Sequence, residues 1–443
     1  MLKKIILDYV ESIEALRDFV DSVKLRLEEH VNRSLSDGEE PYFSERMEKL
    51  QSVFGGMEKA RRDALFRRPL SEIESDAEFK QLLGFEFTLQ MTQDYKGKKS
   101  LEFAFPLNIE EASESAQQLY SKTEKQKELL YKSSLINLTS TVELFLSQLL
   151  HFYFDRFPDA VGSETKFFSL DDLKSLGSIE DAKKHLIESK VEAVLRESLE
   201  EWLRFWKERV KLSMGYVDTV RDQLIEVYQR RNLLIHNGGR VNSIYLSKVA
   251  PGLRENMSRD QLLSVKPEYL NKTLDLFELN FVLIAAELWK RLDPKDEERP
   301  DTLTGIVYTH LLNERWDIAE GLSYFQMNDR QTSEKSQIYG QLNYWQSVKW
   351  QDRFEKVRQE VEQADFSAKD PLYQLALLAL QNKTNAFLSL LPIVLRSGKL
   401  TIEDFNNWPI FREMRKAEAI RSFLKNEHNE TIPAAEERSA SLH

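Results

Sequence analysis

Ile6, Tyr9, Ile13, Leu16, Val20, Val23 and Leu27 follow one another at alternating intervals of three and four residues, the spacing of one helical face. That rhythm commits residues 3 to 31 to a single long helix. Ile5, Val10 and Phe19 widen the stripe beyond a two-stranded coiled-coil seam, so packing within the chain is expected rather than a coiled-coil dimer. Composition points the same way. The 443 residues include 15 glycines and 12 prolines, roughly half the usual share of each, which makes turns scarce and argues against an all-β fold. At about 150 residues per domain the length implies two or three domains. The chain has no cysteine, which removes disulfides, thiolate nucleophiles and Cys-ligated metals and fits a cytoplasmic location. A formal charge of -11 and a pI near 5.4 exclude an indiscriminate nucleic-acid coat protein, so any nucleic-acid site has to be local.

Met1 to Leu7 opens like a secretory leader but meets Asp8 and Glu11 too soon to be one. The most apolar stretch, Leu276 to Trp289, is interrupted by Glu278, Asn280 and Glu287, so no membrane span is expected. Between Gly84 and Leu107 the period changes to two: Phe85, Phe87, Leu89 and Met91 alternate with polar residues, as do Leu101, Phe103 and Phe105. This predicts a β-hairpin near 85–106. Its turn, Asp94 to Lys99, carries three lysines and a tyrosine and reads either as a solvated turn or as a phosphate contact. Helical periods return from about Glu124, with Tyr131, Leu135, Leu138, Val142, Phe145, Leu149 and Phe152 on one face, and continue over about 179–213, 216–237 and 266–293. Four such helices predict a bundle.

Pro294 and Pro300 bracket a charged stretch from Asp293 to Asp301 that reads as a domain boundary. Beyond it, amphipathic segments start near 304, 337, 370 and 402, close to the 34-residue period of helix–turn–helix solenoids. Trp316, Ala319, Trp345, Trp350, Ala379, Ala386 and Trp408 supply the mixture of large and small side chains that stacked helix pairs use, and the segment resembles degenerate tetratricopeptide repeats. The expected organisation is an N-terminal helical module over 1–109, a helical bundle over 110–293, a helical-repeat domain over 299–425 and a disordered tail over 426–443.

Phosphate-loop, dinucleotide, zinc-protease and serine-hydrolase motifs are all absent from the sequence, and no histidine lies within five residues of another; no cofactor or metal is expected. One segment stands out, Glu226-Val227-Tyr228-Gln229-Arg230-Arg231-Asn232-Leu233-Leu234-Ile235-His236-Asn237-Gly238-Gly239. Asn232 and His236 are four apart and share a helix face, and the adjacent Arg231 is long enough to reach the same edge. Gly238 and Gly239 end the helix and put His236 in its last turn, where the dipole favours imidazolium. RNA cleavage needs a base for the 2′-hydroxyl, an acid for the departing 5′-oxygen and a cation for the phosphate, and His236 and Arg231 supply these chemistries. Equally, His and Arg at that position could simply cap the helix's own carbonyls.

An arginine, a polar residue, three apolar positions and a histidine closing a bundle helix resemble the signature of the higher eukaryotes and prokaryotes nucleotide-binding (HEPN) domains, a family of helical bundles that includes metal-independent endoribonucleases. The resemblance covers roughly residues 110 to 293, including Val142-Glu143-Leu144-Phe145-Leu146. It implies a mostly α fold with a HEPN-like bundle, catalytic roles for Arg231, Asn232 and His236, a homodimer with one histidine from each chain, and cleavage to a 2′,3′-cyclic phosphate and a 5′-hydroxyl in a toxin or anti-phage effector. It also implies regulation by a protein partner or by the repeats; the C-terminal segment, on Asp365-Phe366-Ser367 and Trp408-Pro409-Ile410-Phe411-Arg412, resembles helical repeats that accompany such domains in bacterial proteins. Glu143 either orients Arg231 or His236 or lies on the polar side of its helix; Tyr228, Arg230 and Arg240 are further candidates for supporting the site residues from behind or for RNA contact, with Arg230 expected at the surface. Residues 201 to 240 hold eight Lys or Arg against five acids, a local surplus that a phosphate surface needs. Trp202 and Trp206 read as core rather than as stacking platforms. The rival reading is a non-catalytic dimeric helical scaffold for a protein or nucleic-acid partner.

Overall fold

In the computed structural model the described residues are 1–56, 68–83, 88–93, 99–104, 109–161, 169–254 and 257–431. The protein is mostly helical. In chain order the elements are α1 (Leu2–Gly56), α2 (Leu70–Glu74), α3 (Ala77–Leu83), β1 (Thr88–Gln93), β2 (Lys99–Ala104), α4 (Ile109–Arg156), α5 (Leu170–Leu176), α6 (Ile179–Leu195) and α7 (Leu199–Arg204), which a π-helical turn at Phe205–Arg209 continues. They go on through α8 (Gly215–His236), α9 (Ser243–Lys248), α10 (Pro267–Leu292), α11 (Glu298–Leu312), α12 (Trp316–Met327), α13 (Glu334–Trp350), α14 (Arg358–Gln363), α15 (Pro371–Leu380), α16 (Thr384–Arg396), α17 (Ile402–Asn407) and α18 (Glu418–Thr431). Two compact units result, Asp18–Ser133 and Met1–Arg17 with Ser134–His443.

Within the smaller unit, Val20, Val31, Ile73, Phe79, Leu83, Leu130 and Tyr131 are buried. Asp76 caps α3 by accepting from the Phe79 amide at 3.1 Å. The strands pair antiparallel, with Leu89 opposite Phe103 and Met91 opposite Leu101; the lysine-rich turn at 94–98 lies outside the described residues.

The larger unit is a helical bundle centred on α10. Proline at the first turn of α10 costs no hydrogen bond there. Leu270, Leu274, Phe277 and Leu288 are buried, and the unbroken run Phe281, Val282, Leu283, Ile284, Ala285 and Ala286 is buried on every side of the helix. Around it stand the first turns of α1, the second half of α4, and α8, which is buried without interruption from Leu224 to Arg230. Leu2, Ile6, Tyr9, Ile13 and Leu16 bury the opening stripe, with Tyr9 stacked on Phe145 at 4.2 Å. Those residues therefore belong to this unit rather than to a module ending at 109, because their apolar face is consumed here. Phe19, by contrast, is exposed and does not widen the stripe.

The charged stretch from Asp293 to Asp301 is no spacer. Arg299 is fully buried and donates to the carbonyls of Asp293 at 2.9 Å and Pro294 at 3.1 Å and to the Asp329 carboxylate at 2.8 Å. A buried guanidinium has to keep such partners, since stranding it would cost several kcal/mol. Both sides of the stretch accordingly fall in one unit. Within and beyond it, helices begin at Glu298, Glu334, Pro371 and Ile402, and the C-terminal region has a core of Leu342, Trp345, Leu375, Leu380, Phe387 and Phe411. Ala319, Trp345, Ala379 and Trp408 are buried as small and large packing residues, whereas Ala386 is exposed. The last helix runs to Thr431, past the expected start of the tail; residues 432–443 lie outside the described residues.

Gly340 fixes how closely α13 approaches the end of α12: a Cβ there would stand 2.6 Å from the Met327 backbone nitrogen. Gly305, on the exposed side of α11, has open space around it. Gly340→Ala should therefore destabilise the protein by about 1–3 kcal/mol through overpacking, while Gly305→Ala should stabilise it by about 0.5–1 kcal/mol through helix propensity. Denaturant midpoints of the two variants check this, and equal effects would contradict the packing.

Candidate functional site

The end of α8 is built by its glycines. Gly238 and Gly239 take φ of 57° and 78°, the left-handed region that side-chain-bearing residues resist. The turn lets the amides of Asn237 and Gly239 both donate to the Leu233 carbonyl, at 2.8 and 2.9 Å. The chain then reverses against residues 260–263, with Val241 donating to the Gln261 carbonyl at 2.9 Å and Leu263 to that of Gly239 at 2.9 Å. Leu233, Val241, Tyr245, Val249 and Leu263 form a small core under this turn. The motif thus ends on a fixed support.

Arg231 is half-buried. Its Nη1 donates to Asn232 Oδ1 at 3.2 Å, and its Nη2 stands 3.5 Å from Glu143 Oε1 on α4. Of the roles open to Glu143, contact with Arg231 is the one observed. His236 is exposed in the last turn of α8 and makes no hydrogen bond or ion pair among the described residues. The structure therefore brings Arg231, Asn232 and Glu143 together and leaves His236 facing solvent at the helix end. Arg240 is also exposed, with Nη1 donating to the Asp260 carbonyl at 3.0 Å, so it pins the turn.

Two further candidates, Tyr228 and Arg230, are buried. Tyr228 is buried, edge-on to Trp202 at 5.5 Å and stacked on Phe277 at 5.9 Å. Burial, reinforced by the charge of Glu143 and opposed by Arg231, pushes its phenol well above the ordinary range, so it is a neutral core residue. Trp202 and Trp206 are buried as read from the sequence. Arg230, expected at the surface, is buried instead: Nε donates to Glu226 Oε1 at 2.8 Å, Nη1 to the Ser264 carbonyl at 2.9 Å, and the guanidinium lies 4.1 Å over the Tyr269 ring. The reason is Glu226, one turn earlier, which also accepts from the hydroxyls of Tyr245 at 2.7 Å and Tyr269 at 2.6 Å. Burial first, and the Glu226 charge second, raise the Tyr245 phenol above its usual range, so it serves this node as a neutral donor. Sequence reasoning missed the node, although the four-residue Glu226–Arg230 spacing is its visible signal. A cavity of about 630 Å³ opens beside it, lined by Glu226, Arg230, Tyr269, Lys272, Leu276 and Leu279 among others.

Local pairing consumes part of the positive surplus: Arg204 meets Glu201 and Lys207 meets Asp218, each at 2.7 Å. Among the described residues no three His, Asp or Glu side chains converge as a metal site would require, and no helix is long and apolar enough to cross a membrane. Comparison with family models, curated proteins and solved structures returns no match.

The adjacent arginines should respond oppositely to truncation. Arg230→Ala leaves the Glu226 carboxylate buried without its cation and should cost about 3–5 kcal/mol, whereas Arg231→Ala should cost under about 1 kcal/mol. Thermal melts of the two variants decide the assignment, and a reversed order would overturn it.

Proposed function

We propose that the end of α8 is the site of a metal-independent endoribonuclease of the HEPN type. The observation that carries the reading is the division of labour between neighbouring arginines. Arg230 is locked inside by Glu226, while Arg231 is braced by Glu143 at 3.5 Å and stays half-exposed on the helix that ends in an exposed His236. A helix-capping pair would need no such brace. In this reading Arg231 holds the scissile phosphate, Asn232 orients Arg231 through their 3.2 Å contact, and His236 exchanges protons.

The 2′-oxygen attacks the adjacent phosphorus as its proton passes to a base. The bond to the 5′-oxygen breaks as an acid protonates it, leaving a 2′,3′-cyclic phosphate and a 5′-hydroxyl. In-line displacement places base and acid on opposite sides of the phosphorus, beyond the reach of one imidazole. A two-fold homodimer supplies the second His236 without further sequence. The protein then acts in the cytoplasm on RNA, as a toxin or anti-phage effector, with the repeats receiving a regulatory protein partner.

Labelled single-stranded RNA incubated with the protein in EDTA tests this. Wild type should cleave, whereas His236→Ala and Arg231→Ala should each lose at least about 100-fold of the rate, the usual contribution of a proton-transfer group, with circular dichroism unchanged. Full cleavage by His236→Ala would refute the site. No cleavage by wild type would leave the helical scaffold as the better description.

A further inference from the structure

A second cavity, also about 630 Å³, lies far along the chain from the α8 motif, between the end of α13, the 3-10 turn at Phe354–Lys356, the α15–α16 turn and the segment after α17. Lys349 reaches into its wall. Its ammonium donates to the Leu380 carbonyl and to Asn382 Oδ1, each at 2.9 Å. It stands 5.2 Å from the centre of the Trp350 ring and 5.3 Å from that of Phe354. Among the described residues no carboxylate comes within ion-pair distance of it. Burial pushes its amine down to about 8, against a small opposing pull from Glu413. Such a cation is poorly compensated, because two neutral acceptors and two ring faces replace water but not charge.

Besides Lys349 the cavity lining holds two cations, Arg412 and Lys416, and three acids, Asp352, Glu355 and Glu413. The Arg412 guanidinium lies 5.8 Å from the Trp350 ring centre, its ion pair being with Glu314 at 3.3 Å, where both side chains are largely exposed. Arg415 donates to the Phe405 and Trp408 carbonyls at 2.8 and 2.9 Å, and burial together with Arg412 lowers its affinity for a proton. Of the acids on the cavity rim, Glu413 is tied to Lys416 at 2.8 Å and Glu355 to Arg358 at 2.9 Å, while Asp352 is exposed.

We propose that this cavity binds an organic phosphate, a phosphate monoester on a flat body such as a nucleoside monophosphate, with Lys349 and Arg412 on the phosphate and Trp350 and Phe354 along the body. An ammonium has three N–H donors, and Lys349 spends two on Leu380 and Asn382, leaving one for the ligand. Arg412 offers a planar fork suited to phosphate oxygens. The volume far exceeds a bare inorganic anion, and the two rings supply an apolar wall for the remainder. This site is independent of the α8 motif and of any ribonuclease activity.

Titration of the full-length protein with adenosine 5′-monophosphate, adenosine and inorganic phosphate tests the assignment. The monophosphate should bind saturably, with adenosine and phosphate each about tenfold weaker or more. Lys349→Met should weaken it about tenfold, as expected for loss of a charged anchor, Lys349→Arg should recover part of the binding, and His236→Ala should bind as wild type. Should Lys349→Met fail to fold, acylation of wild type by an N-hydroxysuccinimide ester gives the same information: the monophosphate should shield Lys349 and not the exposed Lys356, read by mass spectrometry. Absence of saturable binding, inorganic phosphate binding as tightly as the monophosphate, or a loss that follows His236 instead of Lys349 would overturn the proposal. If the chain cleaves no RNA, the prediction at Lys349 is unaffected.

Discussion

Glu278 is the charge on which the larger unit depends. It sits fully buried in the middle of α10, where Arg17 Nη2 approaches one oxygen at 2.9 Å and His310 Nε2 the other at 2.9 Å. Arg17 also meets Asp275 at 2.8 Å, and Arg315 near this cluster pairs with Glu14. The first turns of the chain, the central helix and the start of the C-terminal helices are thus bound through one carboxylate. Burial pushes the Glu278 carboxyl up, yet contact with His310 and Arg17 outweighs it and holds the group below the ordinary range. Asp275 goes the other way, raised by burial despite Arg17. A carboxyl depressed in the folded state contributes stability above its unfolded value and loses it as pH falls through the folded one, so acid should loosen this junction. Buried ion pairs are weak sources of net stability but costly to break. Their effect here is to dictate which helices may meet α10.

That constraint explains which parts of the fold were legible in the sequence. The periods of α1 and the second half of α4 could be read directly, because apolar spacing records the buried face. Glu278 and Asn280 looked like interruptions of the stretch from Leu276 to Trp289, yet both lie inside. Their burial is decided by partners such as Arg17, 261 positions away, which no local window contains. The same blindness turned Asp293 to Asp301 into a spacer. A run of charges normally marks solvent, and the charge partner of the buried Arg299, the Asp329 carboxylate, lies beyond α12 in the sequence.

At the motif the sequence named some residues that lie in contact and misled about exposure. Arg231, Asn232 and Glu143 do come together. Arg230, expected at the surface, is instead drawn inside by Glu226, and that is what separates it from Arg231. Tyr228, polar by one hydroxyl, has its ring in the aromatic packing with Trp202 and Phe277, which removes it from direct RNA contact and leaves the supporting role. Lys349 gave no local signal at all, since what surrounds it comes from Leu380, Asn382 and Arg412.

Successive residues on a helix point about 100° apart, so burying Arg230 against Glu226, Ser264 and Tyr269 also fixes the direction of Arg231. The Glu226 node therefore acts at a distance of one residue on the motif while touching none of it. Its two tyrosine hydroxyls and one guanidinium satisfy both carboxylate oxygens, which removes any gain from rotating α8 to expose them. Gly238 and Gly239 fix the end of the same helix by backbone conformation. Between a charge that sets the azimuth and a turn that sets the terminus, Arg231, Asn232 and His236 have little freedom left except in their own side chains. That preorganisation is what a site on a helix end requires before any ligand arrives.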